Sequence, residues 1–256
     1  MVEPEHQALG IDIGGTGIKA AIVDTRNGRL TSRRNRLNTP RPATAEGVTA
    51  TVRELFDRVD PAKFSAVGVG FPSAIKDGRA MTAVNMDDSW LDVRPGDLIG
   101  QAIGLRVAVL NDADAAGLAE VRFGAARGIS GTVVLITLGT GIGTSLFRDG
   151  VLIPNAELAR VRIKGKEAQR KASEAARKRR GVSWEKWAAD VEAYLQELEQ
   201  MIWPDLVLIG GGASARAHFF MHHLDVRMPV RPARFRNDAG IIGAATYASD
   251  MRTSQV

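Results

Sequence analysis

The hydrophobic positions of this 256-residue chain form short apolar runs, most of which end at glycine or at a polar turn residue. Apolar runs of about four to eight residues, bounded by turn residues and rich in valine and isoleucine, are typical of strands buried in a sheet. The runs that predict strands are 8–13, 20–23, 66–71, 107–110, 132–137, 145–147, 151–153 and 206–209. The pattern therefore predicts a protein with a substantial content of buried sheet.

Helical spacing occurs between these strands. Apolar residues recur three and four positions apart in 45–60, where Pro61 ends the pattern, and in 184–202, where Ser183 is a suitable N-cap. The other predicted helices are 96–103, 113–123, the basic segment 166–180 that stops at Gly181, and 241–248. Strands, helices and glycine turns occur in two rounds, which favours an α/β protein with two related halves.

Composition excludes several classes of protein. Hydrophobic residues make up 45% and charged residues 25% of the chain, as in ordinary globular proteins. No apolar run approaches the roughly 20 residues that a bilayer span requires, and 1–7 is polar, so we expect neither membrane insertion nor secretion. The absence of cysteine excludes disulfides, thiolate zinc sites and cysteine nucleophiles, and it favours a cytoplasmic location.

Positive charge is concentrated in one segment. The chain carries a net charge of +5, and 162–180 contains nine basic residues against two acidic ones. Such a block suits a polyanionic ligand, but a solvated helix face explains the composition equally well. The block contains no aromatic residue and matches no nucleic-acid-binding module, so we do not expect a nucleic-acid partner.

Three glycine-rich turns each follow a predicted strand. They are 12–19, 139–144 and 210–214. Glycine allows backbone N–H groups to approach phosphate oxygens, and the hydroxyls of Thr16, Thr140 and Thr144 can add donors. None of the turns has the P-loop or dinucleotide-binding spacing. Three such turns in one chain nevertheless predict phosphate binding.

Carboxylates stand beside these turns. Phosphoryl transfer requires a metal ion that bridges the phosphates and a base that accepts a proton from the attacking hydroxyl. Asp12 lies between a strand and a glycine turn, where it can hold Mg²⁺ through water, and Asp112 and Asp114 follow the end of another strand. Alternatively, Asn111 and Asp112 simply cap the helix that follows.

The motifs, taken together, carry a family resemblance. They read DIGGTGIK at 12–19, NDADAAGLAE at 111–120, LGTGIG at 138–143 and GGG at 210–212. In this order and spacing they resemble the ROK family of sugar kinases, and in particular its polyphosphate-using actinobacterial branch. The resemblance, which runs from about residue 9 to 248, implies an actin-like, ribonuclease H-like α/β fold of two domains with a central cleft. The domains would be 1–112 joined by the C-terminal helix 240–256, and 113–239.

The resemblance also implies an activity and a set of site residues. The activity is Mg²⁺-dependent transfer of a phosphoryl group from polyphosphate, and also ATP, to the 6-hydroxyl of glucose or a related hexose, in an enzyme that is commonly a homodimer. Asp112 would be the base and Asp12 the metal ligand. Donor phosphates would contact Gly14, Gly15, Thr16, Lys19, Thr140, Gly141 and Gly143; a nucleotide would contact Gly211 and Gly212; and sugar hydroxyls would contact Asn85, Asn111, Glu157 and Arg160. For Lys19, an ordinary surface lysine on a strand remains the simpler interpretation.

One sugar-binding motif departs from the family pattern. Where the family reads ELGHLE, this chain has ELARVR at 157–162, so that Ala159, Arg160 and Arg162 replace a glycine, a histidine and an acid, and Gln169 replaces a further glutamate. Arginine only donates hydrogen bonds, whereas a neutral imidazole both donates and accepts. Two alternatives therefore stay open: a kinase with a changed, anionic acceptor, and a non-catalytic polyphosphate- or nucleotide-binding relative.

Overall fold

A computed structural model describes residues 3–84, 86–163 and 165–253. The chain divides into two compact units: the first comprises 1–119 and 238–256, and the second comprises 120–237. The boundary between the units falls within a helix, after the predicted position at 112, and the C-terminal helix belongs to the first unit. Within the described ranges, no helix combines the length and apolar character that a bilayer crossing needs.

The strands and helices follow the predicted order. The strands are β1 (Gln7–Ile13), β2 (Ile18–Asp24), β3 (Arg29–Leu30), β4 (Asn35–Leu37), β5 (Ala66–Phe71), β6 (Ile75–Lys76), β7 (Arg79–Ala80), β8 (Val107–Asn111), β9 (Thr132–Leu138), β10 (Ile142–Arg148), β11 (Val151–Ile153), β12 (Arg162–Ile163), β13 (Lys166–Glu167), β14 (Leu206–Gly210) and β15 (Val230–Pro232). The helices are α1 (Ala45–Phe56), α2 (Pro95–Ile103), α3 (Asp112–Phe123), α4 (Gln169–Ala172), α5 (Glu174–Arg180), α6 (Trp184–Ile202) and α7 (Ala239–Thr253).

The first unit is built on a sheet of order β3-β2-β1-β5-β8, with β4 paired to β2. Strands β1, β5 and β8 are parallel, and β2 is antiparallel to β1. Leu9 and Ile11 of β1 point into a core that includes Val52 of α1 and Ile99 of α2. Covering both faces of such a sheet requires another helix on the opposite side.

That helix is α7, which approaches the sheet at two glycines. A Cβ atom on Gly10 would lie 2.0 Å from the carbonyl oxygen of Ile241, and one on Gly68 would lie 1.9 Å from that of Ala244. Both distances are far below van der Waals contact, so only glycine fits between β1, β5 and the helix backbone. This close approach fixes the C-terminal helix to the first unit.

The second unit is built on a sheet of order β11-β10-β9-β14-β15. Strands β9, β14 and β15 are parallel, and β10 is antiparallel to β9. The buried stripe of α6, which includes Trp187, Tyr194 and Leu195, packs in one core with Val134 and Ile136 of β9. The predicted cap is confirmed, because the Ser183 side chain accepts a hydrogen bond from the Lys186 amide.

Several predicted helices have different bounds in the structure, and the C-terminal helix, Ala239–Thr253, is longer than the predicted 241–248. The first helix ends at Phe56, before the predicted 60. The basic segment 166–180 is interrupted: it begins with strand β13 and continues as two helices separated by Ser173. Ser173 is extended, with φ −71° and ψ 152°, and its hydroxyl accepts a hydrogen bond from the Ala176 amide. Serine favours this N-cap conformation over the helix interior, which explains the break.

Candidate active site

Two of the predicted polar positions lie at one edge of the first sheet. The carboxyl ends of β1, β5 and β8 meet there because these strands are parallel, and the register pairs Asp12 with Gly70 and Gly70 with Leu110. Asn111 and Asp112 follow directly. With two strand spacings between them, the backbones of Asp12 and Leu110 are about 10 Å apart. The sheet thus holds Asp12 and Asp112 at the same edge.

Two glycines pack close to Asp12 and Asp112. A Cβ atom on Gly240, at the start of α7, would lie 2.8 Å from the Asp12 Cγ, and one on Gly70 would lie 3.5 Å from the Asp112 Cα. Sequence reasoning missed both positions. The only available signal for Gly240 was its place before a glycine-bounded helix.

Asp12 forms an ion pair across the β1-β2 hairpin. The Lys19 Nζ donates to Asp12 Oδ2 at 2.7 Å, and the two residues are register partners. The structure therefore places the Lys19 ammonium on this carboxylate. Binding of the Lys19 ammonium to a donor phosphate stays a prediction.

The first glycine turn is fixed by side chains from the β4 region. The Thr39 hydroxyl donates to the Gly14 carbonyl at 2.5 Å, and the Arg36 guanidinium donates to the Thr16 carbonyl at 3.1 Å. A Cβ atom on Gly17 would lie 2.6 Å from the Arg36 Nε. Arg36 is a cation at this turn that sequence reasoning missed.

Asn111 caps α3. Its Oδ1 accepts hydrogen bonds from the amides of Ala113 and Asp114, at 2.9 and 3.0 Å, and its Nδ2 donates to the Ser73 carbonyl at 3.1 Å. The capping interpretation is therefore confirmed for Asn111. Asp112 is the half-buried first residue of the helix, and its Oδ1 accepts from the Ala113 amide at 2.9 Å.

The two nearby aspartates of α3 have different environments. Asp114 is 1% exposed, whereas Asp112 is only partly buried. Burial raises the pKa of the Tyr247 phenol, and the negative charge of Asp114 raises it further, so Asp114 faces the interior near α7. Asp112 is the better candidate for contact with a substrate.

The second unit brings two glycine turns together. Strands β9 and β14 are parallel, and Thr137 pairs with Gly210, so the turns 139–141 and 210–212 leave the same sheet edge. Gly211 has a φ of +70°, and a Cβ atom there would lie 2.9 Å from the Leu138 carbonyl oxygen. Only glycine allows this approach. The predicted phosphate-binding residues Thr140 and Gly141 thus lie near the predicted nucleotide-binding Gly211 and Gly212.

Helix α5 supports both turns. The Ala175 amide donates to the Gly139 carbonyl at 3.0 Å. Beside it, the Glu174 side chain is 6% exposed and accepts from Arg216 at 2.9 Å, while Lys178 lies at 3.1 Å. A Cβ atom on Gly212 would lie 2.8 Å from the Glu174 Oε2. This buried, paired carboxylate holds the turns in place, and no sequence signal identified it.

Thr144 has a different role from the predicted one. Its buried hydroxyl donates to the Ala156 carbonyl and accepts from the Leu158 amide at 3.0 Å. The hydroxyl is therefore consumed in holding the loop that carries Glu157, and the expectation that it adds a phosphate donor is wrong. Gly143 also has a structural partner, since its amide donates to the Thr137 hydroxyl at 3.1 Å.

The altered sugar motif occupies a short turn in the second unit. Ala159 is buried in the core, whereas the Arg160 side chain is 59% exposed and its Nε lies 3.9 Å from a Glu157 carboxylate oxygen. Gln169 lies against the glycine turn, with its Oε1 3.1 Å from where a Cβ atom of Gly141 would stand. The predicted sugar ligand Asn85 lies outside the described residues.

Comparison with known proteins agrees with these features. The model of the ROK family matches residues 8–157. Polyphosphate glucokinase of Mycobacterium tuberculosis (strain CDC 1551 / Oshkosh) is 42% identical over 242 residues, covering 94% of this chain and 91% of that protein. Polyphosphate glucokinase of Mycobacterium leprae (strain TN) is 41% identical over 242 residues, covering 94% of this chain and 74% of that protein.

Solved structures give the same result. The inorganic polyphosphate/ATP-glucomannokinase from Arthrobacter sp. strain KM matches with a TM-score of 0.92 and 45% identity, over 96% of this chain and 99% of that one. The ROK family glucokinase from Streptomyces griseus, in complex with glucose and AMPPNP, matches with a TM-score of 0.82 and 26% identity, over 95% and 99%. The expected actin-like fold of the ROK sugar kinases is confirmed. The family model matches more than half of this chain, and a relative is 42% identical across nearly all of it. This chain therefore belongs to the ROK family.

Proposed function

We propose that this chain is a sugar kinase that transfers the terminal phosphoryl group of inorganic polyphosphate, and also that of ATP, to the 6-hydroxyl of glucose or a related hexose. The observation that carries the proposal is Asp112, a partly buried carboxylate at the carboxyl edge of a parallel sheet, with Asp12 at the same edge. The named relatives support the choice of donor and acceptor.

In the proposed reaction, Asp112 accepts the proton of the sugar 6-hydroxyl as that oxygen attacks the terminal phosphorus. The bond between this phosphorus and the bridging oxygen breaks, and a polyphosphate shorter by one phosphate, or ADP, departs with the electron pair. A positioned base of this kind contributes about 10²- to 10⁴-fold to a rate. Its carboxylate is oriented by the hydrogen bond from the Ala113 amide.

Asp12 is the residue that would hold Mg²⁺. Carboxylate oxygen is a ligand that suits this cation, and a side chain at Gly240 would overlap the Asp12 carboxylate, so glycine is what lets this carboxylate stand at the sheet edge. When bound, Mg²⁺ neutralises charge on the donor phosphates. We expect the Lys19 ammonium to give up Asp12 and turn to a phosphate when the site is loaded.

The glycine turns would hold the donor phosphates. We assign this role to the backbone amides of Gly15 and Thr16 in the first unit, and to the 139–143 turn in the second, with Gly211 and Gly212 beside the nucleotide when ATP is the donor. The Gly14 and Gly143 amides donate within the protein, to the Gly17 carbonyl and the Thr137 hydroxyl, so these two glycines shape the turns. Backbone amides in such turns form concave sites for anions. Much of the catalysis then consists of positioning and charge stabilisation.

A second candidate differs only in the acceptor. Arg160 is a permanent cation beside Glu157, at a position where an uncharged sugar would need a group that can also accept a hydrogen bond. An arginine suits a phosphorylated or acidic sugar. In this candidate the donor turns and Asp112 keep their roles.

One activity panel tests both candidates. Polyphosphate and ATP are supplied in turn with Mg²⁺ and with glucose, mannose, glucosamine and several phosphosugars. Turnover of glucose supports the first candidate, and turnover of phosphosugars alone supports the second. Silence on every acceptor while polyphosphate still binds would overturn both and favour a non-catalytic polyphosphate-binding relative. A homodimer and a cytoplasmic location stay predictions, which light scattering and cell fractionation test.

A further inference from the structure

A groove on the second unit is lined by cations. It has a volume of about 520 Å³, and the described side chains that line it are all basic: Lys166, Arg170, Lys171, Arg179 and Arg180. They come from strand β13, the short helix α4 and the end of helix α5. Five of the nine basic residues of the 162–180 block therefore line one concave surface, whereas Lys178 pairs with Glu174 and Arg177 lies over the Trp184 ring.

Most of this charge has no counterion among the residues that the structure describes. Arg180 is paired with Asp190 at 2.7 Å. The other four lining cations form no ion pair with any residue that the structure describes. The nearest acid in sequence, Glu167, accepts a hydrogen bond from Gln169 at 2.8 Å. Several like charges held together repel one another, and a bound polyanion would offset that repulsion.

The groove adjoins the glycine turn that is proposed to hold donor phosphates. Helix α4 begins at Gln169, whose side chain lies against Gly141, and continues directly into Arg170 and Lys171. Helix α5 is also tied to the turn at its start, where the Ala175 amide bonds the Gly139 carbonyl, and it carries its lining cations at the other end. Both helices thus lead from the turn to the groove.

We propose that the groove is a distal subsite for inorganic polyphosphate, which holds internal phosphates of a long chain whose terminal phosphates lie at the 139–143 turn. This inference rests on the proposed donor. Guanidinium groups bind phosphate oxygens in bidentate fashion, and a regular polyanion can contact several of them at once. Stacking aromatics, which single-stranded nucleic acids use, are absent from the lining. The subsite predicts a preference for long over short chains.

The test compares a double variant in the groove with a matched control. Arg170→Gln with Lys171→Gln removes two exposed lining cations, and Arg127→Gln with Arg231→Gln removes two exposed arginines of the same unit outside the groove. The measured quantity is kcat/KM for glucose phosphorylation with a long polyphosphate, divided by that with tripolyphosphate. We expect the ratio to fall about tenfold or more in the groove variant, because one to two charge-assisted hydrogen bonds to the long chain are lost. The ratio should be unchanged in the control.

A ratio that is unchanged in the groove variant overturns the subsite. A drop of equal size in the control assigns the effect to net charge and overturns it as well. Thermal unfolding of each variant shows whether the fold is intact, and Arg179→Gln alone provides a milder second change.

Direct binding separates this inference from the proposed function. If the unaltered protein uses no polyphosphate as a donor, equilibrium binding of long polyphosphate to it and to the groove variant still tests the groove. Two results support the subsite: the groove variant binds polyphosphate more weakly than the unaltered protein, and its binding falls less steeply as the salt concentration rises. Displacement of polyphosphate by single-stranded DNA at equal charge concentration would contradict the assigned ligand.

Discussion

At the scale of single residues, we expect Arg160 to determine how a sugar is held. Its guanidinium can only donate, and it lies beside the Glu157 carboxylate that is proposed to accept a sugar hydroxyl. In the proposed site, we expect an arginine at this position to compete with the sugar for that carboxylate, whereas a histidine would leave it available. The acceptor preference of the protein should therefore depend on this one side chain.

Arg160→His should raise kcat/KM for glucose about tenfold, the equivalent of one hydrogen bond between Glu157 and the sugar. Initial rates over a range of glucose concentrations measure it. Arg162→Gln, which removes a neighbouring exposed cation, is the control and should leave the value within about twofold. A fall in glucose efficiency in Arg160→His would show that the arginine itself binds the acceptor.

Asp24 provides a pH-dependent contribution to stability. The hydrogen bond from the Arg26 side chain is the main cause of its lowered pKa, and the Arg26 amide and Asn27 add to it against the effect of burial. A lowered pKa in the folded state means that the stabilisation is present above the ordinary aspartate pKa. It is lost as the pH falls through the lowered value.

Asp24→Asn should therefore lower the free energy of unfolding by about 1 kcal/mol at neutral pH, because Arg26 is half exposed and the pair is partly screened. The difference from the parent should shrink in acid. Urea unfolding at both pH values measures it, with the exposed Asp57→Asn as a control that changes little. A difference that persists unchanged in acid would contradict the assignment to the charged carboxylate.

Sequence reasoning identified the residues that carry the chemistry but not their environments. Asp112 and Asp114 are both strand-end carboxylates in the sequence, and only burial separates them. The local sequence left helix capping and catalysis open for Asn111 and Asp112, and the Ser73 contact that fixes the Asn111 amide comes from the end of a neighbouring strand. Thr144 was misassigned because its partner, the Ala156 carbonyl, comes from a loop later in the chain.

At the scale of elements, the contact of α7 with the first sheet depends on missing side chains. Gly68 admits the Ala244 carbonyl, and Gly243 admits that of Ala115, which would lie 1.6 Å from a Cβ atom there. Because backbone atoms lie on both sides of each contact, no flexible side chain could move away to make room for a larger residue. The helix is thus fixed to β5 and to α3, the helix that begins with Asp112.

Gly68→Ala should destabilise the protein by about 3 kcal/mol or more, since the new methyl group overlaps a backbone carbonyl. Met251→Ala, at a side chain that is 41% exposed on the same helix, is the control and should change stability by less than about 0.5 kcal/mol. Chemical unfolding of both variants measures the difference. A cost below about 1 kcal/mol in Gly68→Ala would contradict the packing.

The order of elements could be read from the sequence because each strand is a bounded apolar run. The β5 and β11 bounds agree fully with the predicted 66–71 and 151–153. The basic segment was harder to predict, because its residues all favour helices and only Ser173, through a cap, divides them. That break is what allows Lys171 of α4 and Arg179 of α5 to line one groove.

At the scale of the whole molecule, the net charge of +5 does not show where the positive charge is located. One segment holds the excess, and the fold brings five of its nine basic residues to the groove. The sequence could show the excess but left a polyanion site and a solvated face equally open, because the choice between them depends on how β13, α4 and α5 pack. The family resemblance resolved the fold, since motif order and spacing are preserved along nearly the entire chain.

The central claim is that Asp112 is the base of a sugar kinase, and one measurement tests it most directly. Formation of glucose 6-phosphate from glucose and polyphosphate, and from glucose and ATP, is followed for the parent, for Asp112→Asn and for the exposed control Asp97→Asn. We predict that kcat falls about 10²- to 10⁴-fold in Asp112→Asn with both donors, while the thermal unfolding temperature stays near that of the parent and the control keeps full activity. An Asp112→Asn protein as active as its parent would contradict the account.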